Sequence, residues 1–477
     1  LELTHMVDTP FRPTGSRPHV VVIGSGFGGL FAVNKLKKAD VDVTLIDRTN
    51  HHLFQPLLYQ VATGLLSSGE IAPATRQILK GQSNVHVVKG EVRDIDVDNK
   101  TVDTELGTFT RRYHYDYLII AAGAGQSYFG NDHFAEFAPG MKTIDDALEI
   151  RARIVGAFER AELCDDPEEL KRLLTFAIVG GGPTGVELAG QVAEMAHRTL
   201  QGEYSHIDPA SARILLIEGA PQILPPFGKR LGKNAQKQLE KLGVTCKLNS
   251  MVTNVDEHGI TFKSTVDGTE ETVPAFCKIW SAGVQASPLG KLVADQCGVE
   301  VDRAGRVPVR DDLTIDDNHE IFIVGDMMSY NRLPGVAQVA IQGGEYAADT
   351  IIDHIDNQTP PAARPAFSYF DKGSMATVSK FSAVVKLGKV EVTGFFGWVL
   401  WLAVHLMFIV GFRNRFIAAG NWGLNVLSPN RWQLATTRQQ MHARTGLRKL
   451  ARISDDDLIE THDNSPFNLH EAKKHTG

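Results

Sequence analysis

The chain has 477 residues, 43% of them hydrophobic and 22% charged, enough for two or three domains with ample core. A formal net charge of −7 argues against nucleic acid as the main partner. The four cysteines (Cys164, Cys246, Cys277 and Cys297) form no C-x-x-C or C-x-x-x-x-C pattern, which excludes a local dithiol relay, an iron–sulfur motif and a cysteine-ligated metal. They read as small buried hydrophobes in a reducing, cytosolic compartment.

Leu1 to Pro18 reads as a loose leader without a charged-then-apolar segment of the secretory kind. His19 to Ile23 is an apolar run of strand length, followed at once by Gly24-Ser25-Gly26-Phe27-Gly28-Gly29. A strand running into G-x-G-x-x-G and a helix is a dinucleotide fingerprint. Its backbone turns sharply, approaches a pyrophosphate closely and presents helix N-terminal N–H groups to it. Val41 to Ile46 predicts a second strand ending in Asp47, 18 residues past Gly29, where a carboxylate accepts hydrogen bonds from a ribose 2′-hydroxyl. Gly90-Glu91-Val92 opens a further strand, Lys100 to Arg112 reads as a hairpin, and Tyr115 to Ala124 is an apolar strand ending in small residues. Arg48, Val92, Ala122 and Gly123 are expected beside Asp47 around the first dinucleotide.

Residues from about 140 to 174 read as helix, with a turn at Asp165-Asp166-Pro167. Phe176 to Val179 then runs into Gly180-Gly181-Gly182-Pro183-Thr184-Gly185, a second copy of the fingerprint. Its acidic residue, Glu218, stands 33 residues past Gly185. The excess falls in the polar stretch Gln201 to Ala212 with its Asp208-Pro209 turn, and reads as an insertion in the crossover. No arginine adjoins Glu218 to hold a 2′-phosphate, so NADH is favoured over NADPH. Ile279 to Val284 repeats the closing strand, with Ala282 and Gly283 as its small residues. One chain with two such units is expected to bind two dinucleotides.

His319 to Asp326 reads as a buried strand ending in Gly325-Asp326, and Val336 to Ile355 as a helix carrying Ala337-Gln338-Val339-Ala340-Ile341-Gln342. Pro360-Pro361 and Pro365 mark a linker, with strands near 367–393 beyond it. From Val392 to Ser454, 63 residues hold eight basic and no acidic side chains. That window opens on Gly394 to Phe412, 19 uncharged residues rich in aromatics and ending on Arg413-Asn414-Arg415. As one helix the run is about 28 Å long, barely the ~30 Å of a hydrocarbon core. Trp398, Trp401, Trp422 and Trp432 suit a membrane interface, and each basic residue near the surface attracts anionic headgroups by about 1 kcal/mol. Interfacial attachment through about 394–452 is expected ahead of a buried dimer interface or a true span. A polar tail follows from Asp455.

With these motifs in place, the sequence resembles the type II NADH dehydrogenases, single-subunit FAD enzymes that reduce membrane quinone. The resemblance runs from about 18 to 434. Two glycine fingerprints and a Gly-Asp strand place the chain only among two-dinucleotide flavoproteins. Narrower features are His52 to Gly64, Ala337 to Gln342, Tyr369-Phe370-Asp371-Lys372-Gly373, and the apolar run ending Gly411-Phe412-Arg413-Asn414-Arg415. The resemblance implies an α/β fold of two Rossmann-like dinucleotide-binding domains plus a C-terminal membrane-attachment region. The FAD-binding domain would cover 18–140 and 300–385, the NADH-binding domain 141–299, and the membrane-associated region and polar tail 386–477.

It further implies FAD on the loop of Gly24, Ser25, Gly26, Phe27, Gly28 and Gly29, with Asp47 on its adenosine ribose. Asp326 would hold the ribityl or phosphate portion, and Thr63 with Gly64 would line the flavin. NADH would lie on Gly180, Gly182, Pro183, Thr184, Gly185 and Glu218. Quinone would pass Gln338, Ile341, Gln342 and Lys380 near the membrane surface. The familiar pattern after Asp-Lys-Gly ends in Gly-Arg or similar, whereas this chain reads Ala376-Thr377-Val378-Ser379-Lys380.

Hydride transfer from NADH to flavin is carried by the cofactors, provided they are held at near-attack distance. Quinone takes two electrons and two protons, which makes a relay useful. Glu187 is the candidate relay; the plainer reading is an acid stabilised at a helix N-terminus. Gln338 and Gln342, four residues apart on one helix face, either bond flavin and quinone carbonyls or cap buried backbone. Lys380 either stabilises a reduced flavin or quinone anion or is an exposed strand lysine. His51-His52 is not a metal pair, since neighbours on an extended chain point to opposite faces. His405 is expected to hydrogen-bond within its own helix. The expected protein is a homodimeric NADH:quinone oxidoreductase, peripheral or monotopic on the cytoplasmic face of the cell membrane, with no metal and no proton pumping. A sulfide:quinone oxidoreductase shares the architecture but needs a reactive cysteine pair by the flavin and no working NADH loop, and the intact second fingerprint opposes it; a disulfide reductase is excluded because no cysteine precedes Cys164. A redox-sensing FAD- and NADH-binding interaction protein is the alternative outside the enzymes.

Overall fold

The computed structural model describes residues 10–13 and 15–440. Arg444, Arg448, Lys449, Arg452 and the polar tail from Asp455 lie outside the described residues. The first glycine motif joins β1 (His19–Ile23) to α1 (Phe27–Lys35), and β2 (Asp42–Asp47) follows. After α2 (Leu58–Ala62) come β3 (Val85–Lys89), an antiparallel three-stranded ribbon and β4 (Tyr117–Ile120). Val92 lies in that ribbon, paired with Thr104. The expected helical stretch is two helices, α3 (Ile144–Glu162) and Pro167–Leu173, the second started by Asp166 capping Glu168 N–H and by Pro167 in its first turn.

The second unit repeats the plan: β5 (Thr175–Val179), α4 (Pro183–Glu194), β6 (Arg213–Ile217), β7 (Val244–Lys247) and β8 (Cys277–Trp280). The stretch read as a crossover insertion, Gln201 to Ala212, follows a short π-helix, Met195–Thr199, and contains a 3-10 turn, Pro209–Ser211. Then come β9 (Asn318–Ile323), α5 (Ala337–Asn357) and an antiparallel sheet of β10 (Ser374–Ser379), β11 (Ser382–Leu387) and β12 (Val390–Thr393).

β9, β4, β1, β2 and β3 are neighbours in one parallel sheet, with the short strand Thr314–Ile315 antiparallel at its edge. Ile23 aligns with Ile46 and Ile120, and Ile120 with Ile323, so four strands end at one level. β7, β6, β5 and β8 form the second parallel sheet, in which Val179 aligns with Ile217 and Trp280. β1 and β5 are buried along their whole length, as strands covered on both faces must be, which explains why each reads as an unbroken apolar run. α1 packs on α5 through bare backbone: a Cβ on Gly344 would run into Gly28 O, and one on Gly28 would meet Ala340 O at 3.3 Å.

The apolar run is not one helix. α6 (Gly394–Phe408) ends at Ile409, which is extended, and Gly411 takes a φ of +93° before α7 (Phe412–Leu427). Arg415 Nε holds the turn by donating to Ile409 O at 2.7 Å. Among the described residues no helix is long and apolar enough to cross a membrane. Two of the four tryptophans expected at an interface are instead core: Trp401 is 1% exposed and Trp422 7%, because one face of the helix pair packs on α2, α4 and β11. Of the cysteines, only Cys277 is fully buried, and the other three are half-buried.

Candidate active site

Both glycine loops sit at the carboxyl ends of their parallel strands, where open α/β sheets bind ligands. Their glycines play the same parts. Gly24 and Gly180 have φ of +100° and +106°, and a Cβ on Gly29 or Gly185 would collide with the carbonyl of that first glycine. A Cβ on Gly26 or Gly182 would meet nothing within 4 Å, so open space faces the N-termini of α1 and α4. Neither helix has a side-chain cap, which leaves its first N–H groups free for an anion.

The acidic residues are also equivalent. Asp47 accepts from Ser25 N and Ser25 Oγ on one oxygen and from Thr49 N (2.6 Å) and Thr49 Oγ1 on the other. Glu218 accepts from Gly181 N and, at 2.7 Å, from Ala220 N. Each carboxylate is thereby fixed beside its loop at the end of the second strand. Arg48 is exposed.

Ala121 closes on Gly24, and Ser281 Oγ donates to Val179 O and Gly180 O, so β4 and β8 pass under their loops. The small residues Ala122 and Gly123 follow the first strand; Ala282 and Gly283 follow the second, where Gln126 Nε2 donates to both carbonyls. Gly325 and Asp326 follow β9. Burial pushes the Asp326 carboxyl above the usual range, with Lys142 as the opposing charge, and Gly335 approaches bare, its Cβ position 3.1 Å from Asp326 Oδ1. These features fit a bound dinucleotide with a flavin: a pyrophosphate cradle, a fixed ribose acceptor and a half-buried Asp at the strand edge.

Around Thr63 the contacts come from distant parts of the chain. Thr63 Oγ1 donates to Tyr59 O within α2, and Thr63 O accepts from Arg431 Nη1 at 2.7 Å. A Cβ on Gly64 (φ +72°) would clash with Gln433 and Leu434. Arg431 Nη2 also donates to Gln191 O and Oε1 on α4. Burial pulls the Arg431 guanidinium down to about 10. Arg431 therefore ties the segment after α7 to both nucleotide units. Sequence reading passed over it as one of eight basic residues, and only its place beside Trp432 in an acid-free window hinted at more.

Glu187 on α4 is buried, and its Oε1 accepts from Thr377 N at 3.2 Å. Burial pushes this carboxyl well above the usual range. Tyr59 Oη lies 2.8 Å from Thr377 Oγ1 and accepts from Gln60 Nε2 at 3.0 Å, while Trp422 Nε1 donates to Gln60 Oε1. Tyr59 belongs to the His52–Gly64 motif but carried no signal separating it from a core aromatic.

The two glutamines differ. Gln338 Oε1 is buried with no partner among the described residues, which points it at something absent from the chain. Gln342 holds the backbone of Phe370 from both sides, donating to its carbonyl at 3.0 Å and accepting its N–H at 2.9 Å. Ile341 is buried beside them. Lys380 Nζ donates to Asn425 O at 2.6 Å and Val426 O at 3.0 Å, capping the end of α7. His405 Nδ1 bonds Trp401 O at 2.8 Å, and burial pulls its imidazole down to about 4.

Comparison with known proteins fits this geometry. The model of the pyridine nucleotide-disulphide oxidoreductase family matches residues 18–344. The chain is 56% identical over 446 residues to the Type II NADH:quinone oxidoreductase Ndh of Mycobacterium tuberculosis, covering 93% of this chain and 96% of that protein. It is 55% identical over 431 residues to NdhA of the same organism, covering 90% and 92%. Its fold is similar to that of NDH2 from Plasmodium falciparum solved in complex with NADH, with a TM-score of 0.80 at 23% identity over 86% of this chain and 98% of that one.

Proposed function

The chain belongs to the pyridine nucleotide-disulphide oxidoreductase family and, within it, to the type II NADH:quinone oxidoreductases, and from that premise we propose that it passes electrons from NADH through FAD to a membrane quinone. The single observation that carries this reading is the pair of glycine cradles, one with Asp47 and one with Glu218, at the carboxyl ends of two parallel sheets. FAD, when bound, accepts a hydride from NADH and returns two electrons to quinone. The residues 18–140 and 300–385 would hold it, and 141–299 would hold NADH.

Within this reading the chain's own groups orient and protonate. The N–H groups opening α1 and α4 bind the two pyrophosphates, and Asp47 and Glu218 each take a ribose. Gly24, Gly180 and the small residues after β4 and β8 let backbone approach the cofactors and exclude water between them. Gln338 offers its unpartnered Oε1 at the flavin–quinone side. Gln342 and Lys380 hold the surrounding backbone, and Ile341 supplies apolar wall. Glu187, whose burial favours the protonated carboxyl, donates a proton to the reduced quinone. The reaction is read as electron transfer without proton pumping.

The exposed side of α6 and α7 carries Phe396 (77% exposed), Met407 (65%), Leu424 and Leu427 without an acidic residue, which supports monotopic attachment to a lipid surface. A second copy on the same face is the other occupant expected from the sequence. Purified FAD-loaded protein tests the reaction: NADH absorbance should decay when a short-chain quinone is added, at a rate far above that with NADPH. FAD bound without quinone-dependent decay overturns the reading in favour of a redox-sensing role.

A further inference from the structure

Quinone reduction by NADH balances as NADH + H⁺ + Q → NAD⁺ + QH₂. One of the two quinol hydrogens is thus carried as the hydride, and the other is a proton from water. Glu187 delivers protons on the reading above, yet it is buried, and the amide of Thr377 bonds its Oε1. Water must reach it through other groups.

Those groups are in place. The same Thr377 whose amide holds Glu187 shares its hydroxyl with Tyr59 Oη at 2.8 Å. Tyr59, Thr377, Gln191, Glu194, Lys380 and Trp401 line one cavity of about 30 Å³, room for about two waters at ~10–15 Å³ each. The cavity wall contains a buried donor, Trp401 Nε1, with no partner among the described residues, the usual mark of an internal water. Glu194 Oε2 accepts from Gln191 Nε2 at 2.9 Å and Oε1 from Lys380 N at 2.6 Å. Lys380 and Asn425, both part-exposed, line the same cavity and lead toward solvent. Burial keeps Tyr59 a neutral phenol, able to accept a proton on one side and release one on the other.

We propose that Glu194, the water-sized cavity and the Tyr59–Thr377 hydroxyl pair form the route by which Glu187 is reprotonated from solvent after each quinone reduction. This rests on Glu187 acting as the relay. A proton bound by Glu194 passes to cavity water. Water then protonates Tyr59 Oη as the phenol releases its own proton to Thr377 Oγ1, and that hydroxyl swings to hand a proton to the Glu187 carboxylate held by the Thr377 amide. Only O–H bonds form and break, no electron moves, and one proton is consumed per quinol. Glu194 and Tyr59 carry protons to Glu187 in this route.

Infrared spectroscopy of the FAD-loaded full-length chain tests this without turnover. The C=O band of protonated Glu187, identified as the band lost in Glu187→Gln, shifts in D₂O as fast as protons reach it. Glu194→Gln and Tyr59→Phe should slow that shift roughly tenfold or more, with Glu194→Asp recovering most of the rate. Thr377→Val, which keeps the amide bond to Glu187 but deletes the hydroxyl, should slow it equally. In the same variants flavin reoxidation by a short-chain quinone should slow in step, while flavin reduction by NADH reports intact folding. Wild-type exchange in all three, with the Glu187 band present, overturns the route and leaves the relay standing. If Glu187→Gln removes no band, the carboxyl is ionised and the relay reading itself fails.

Discussion

At the scale of single residues, carboxylates and imidazoles decide chemistry that the glycine loops only permit. Glu218 holds Gly181 and Ala220 and presents a negative edge where an adenosine ribose lies in the proposed NADH site. Glu218→Ala should raise the KM for NADH about tenfold, by the loss of a charged hydrogen bond of ~1.5 kcal/mol. It should also lower the preference over NADPH, because a 2′-phosphate no longer meets a carboxylate; steady-state kinetics with both nucleotides check this. Beside β1's start, His19 is fully buried between His114 O and Thr44 Oγ1, and burial pulls its imidazole down to about 4. Between that value and the ~6.5 of an unfolded chain, the unfolded state holds the extra proton. The contribution is therefore complete above about pH 6.5 and falls away as pH drops toward 4, with about 2 kcal/mol gone by pH 5. Urea melts at pH 7 and 5 should show this loss in the wild type and a smaller one in His19→Gln. Gly24, Asp47 and Gly180 were legible in the sequence from the fixed strand–glycine loop–helix spacing, and Glu218 from its place at the end of the next strand despite a long crossover. Tyr59, Glu194 and Arg431 were not, since their partners lie 186 to 368 positions away where the folded chain alone brings them together.

At the scale of elements, the strands and the paired helices were readable wherever burial on both faces left an unbroken apolar run, as in β1 and β5. The break inside the C-terminal apolar run was not legible, because composition is blind to direction. A positive φ at Gly411 and the Arg415 cap on Ile409 turn the chain, so the aromatic content is divided between a core face with Trp401 and Trp422 and an outer face with Phe396 and Met407. Replacing both outer residues, Phe396→Asp with Met407→Asp, should lower partition into anionic lipid vesicles roughly hundredfold, at ~1.5 kcal/mol or more per side chain withdrawn from lipid. Turnover with a water-soluble quinone should persist, and sedimentation with vesicles reads the difference. Unchanged partition, with dimers that dissociate, would assign this face to a second copy.

At the scale of the molecule, Arg431 ties the segment after α7 to Thr63 of the first unit and to Gln191 of the second, and Trp422 of the α6–α7 pair bonds Gln60 beside them. The proposed lipid face lies on the side of the helix pair opposite Trp401. The central claim is that electrons pass through a flavin held by the Gly24 loop, from a nicotinamide held by the Gly180 loop, to quinone. Rapid mixing tests it most directly. FAD-loaded protein mixed with NADH should lose its oxidised-flavin absorbance, and a second mixing with a short-chain quinone should restore that absorbance with one quinol formed per NADH consumed. Flavin that NADH reduces but quinone leaves reduced, or quinol formed without any flavin absorbance change, would contradict the account.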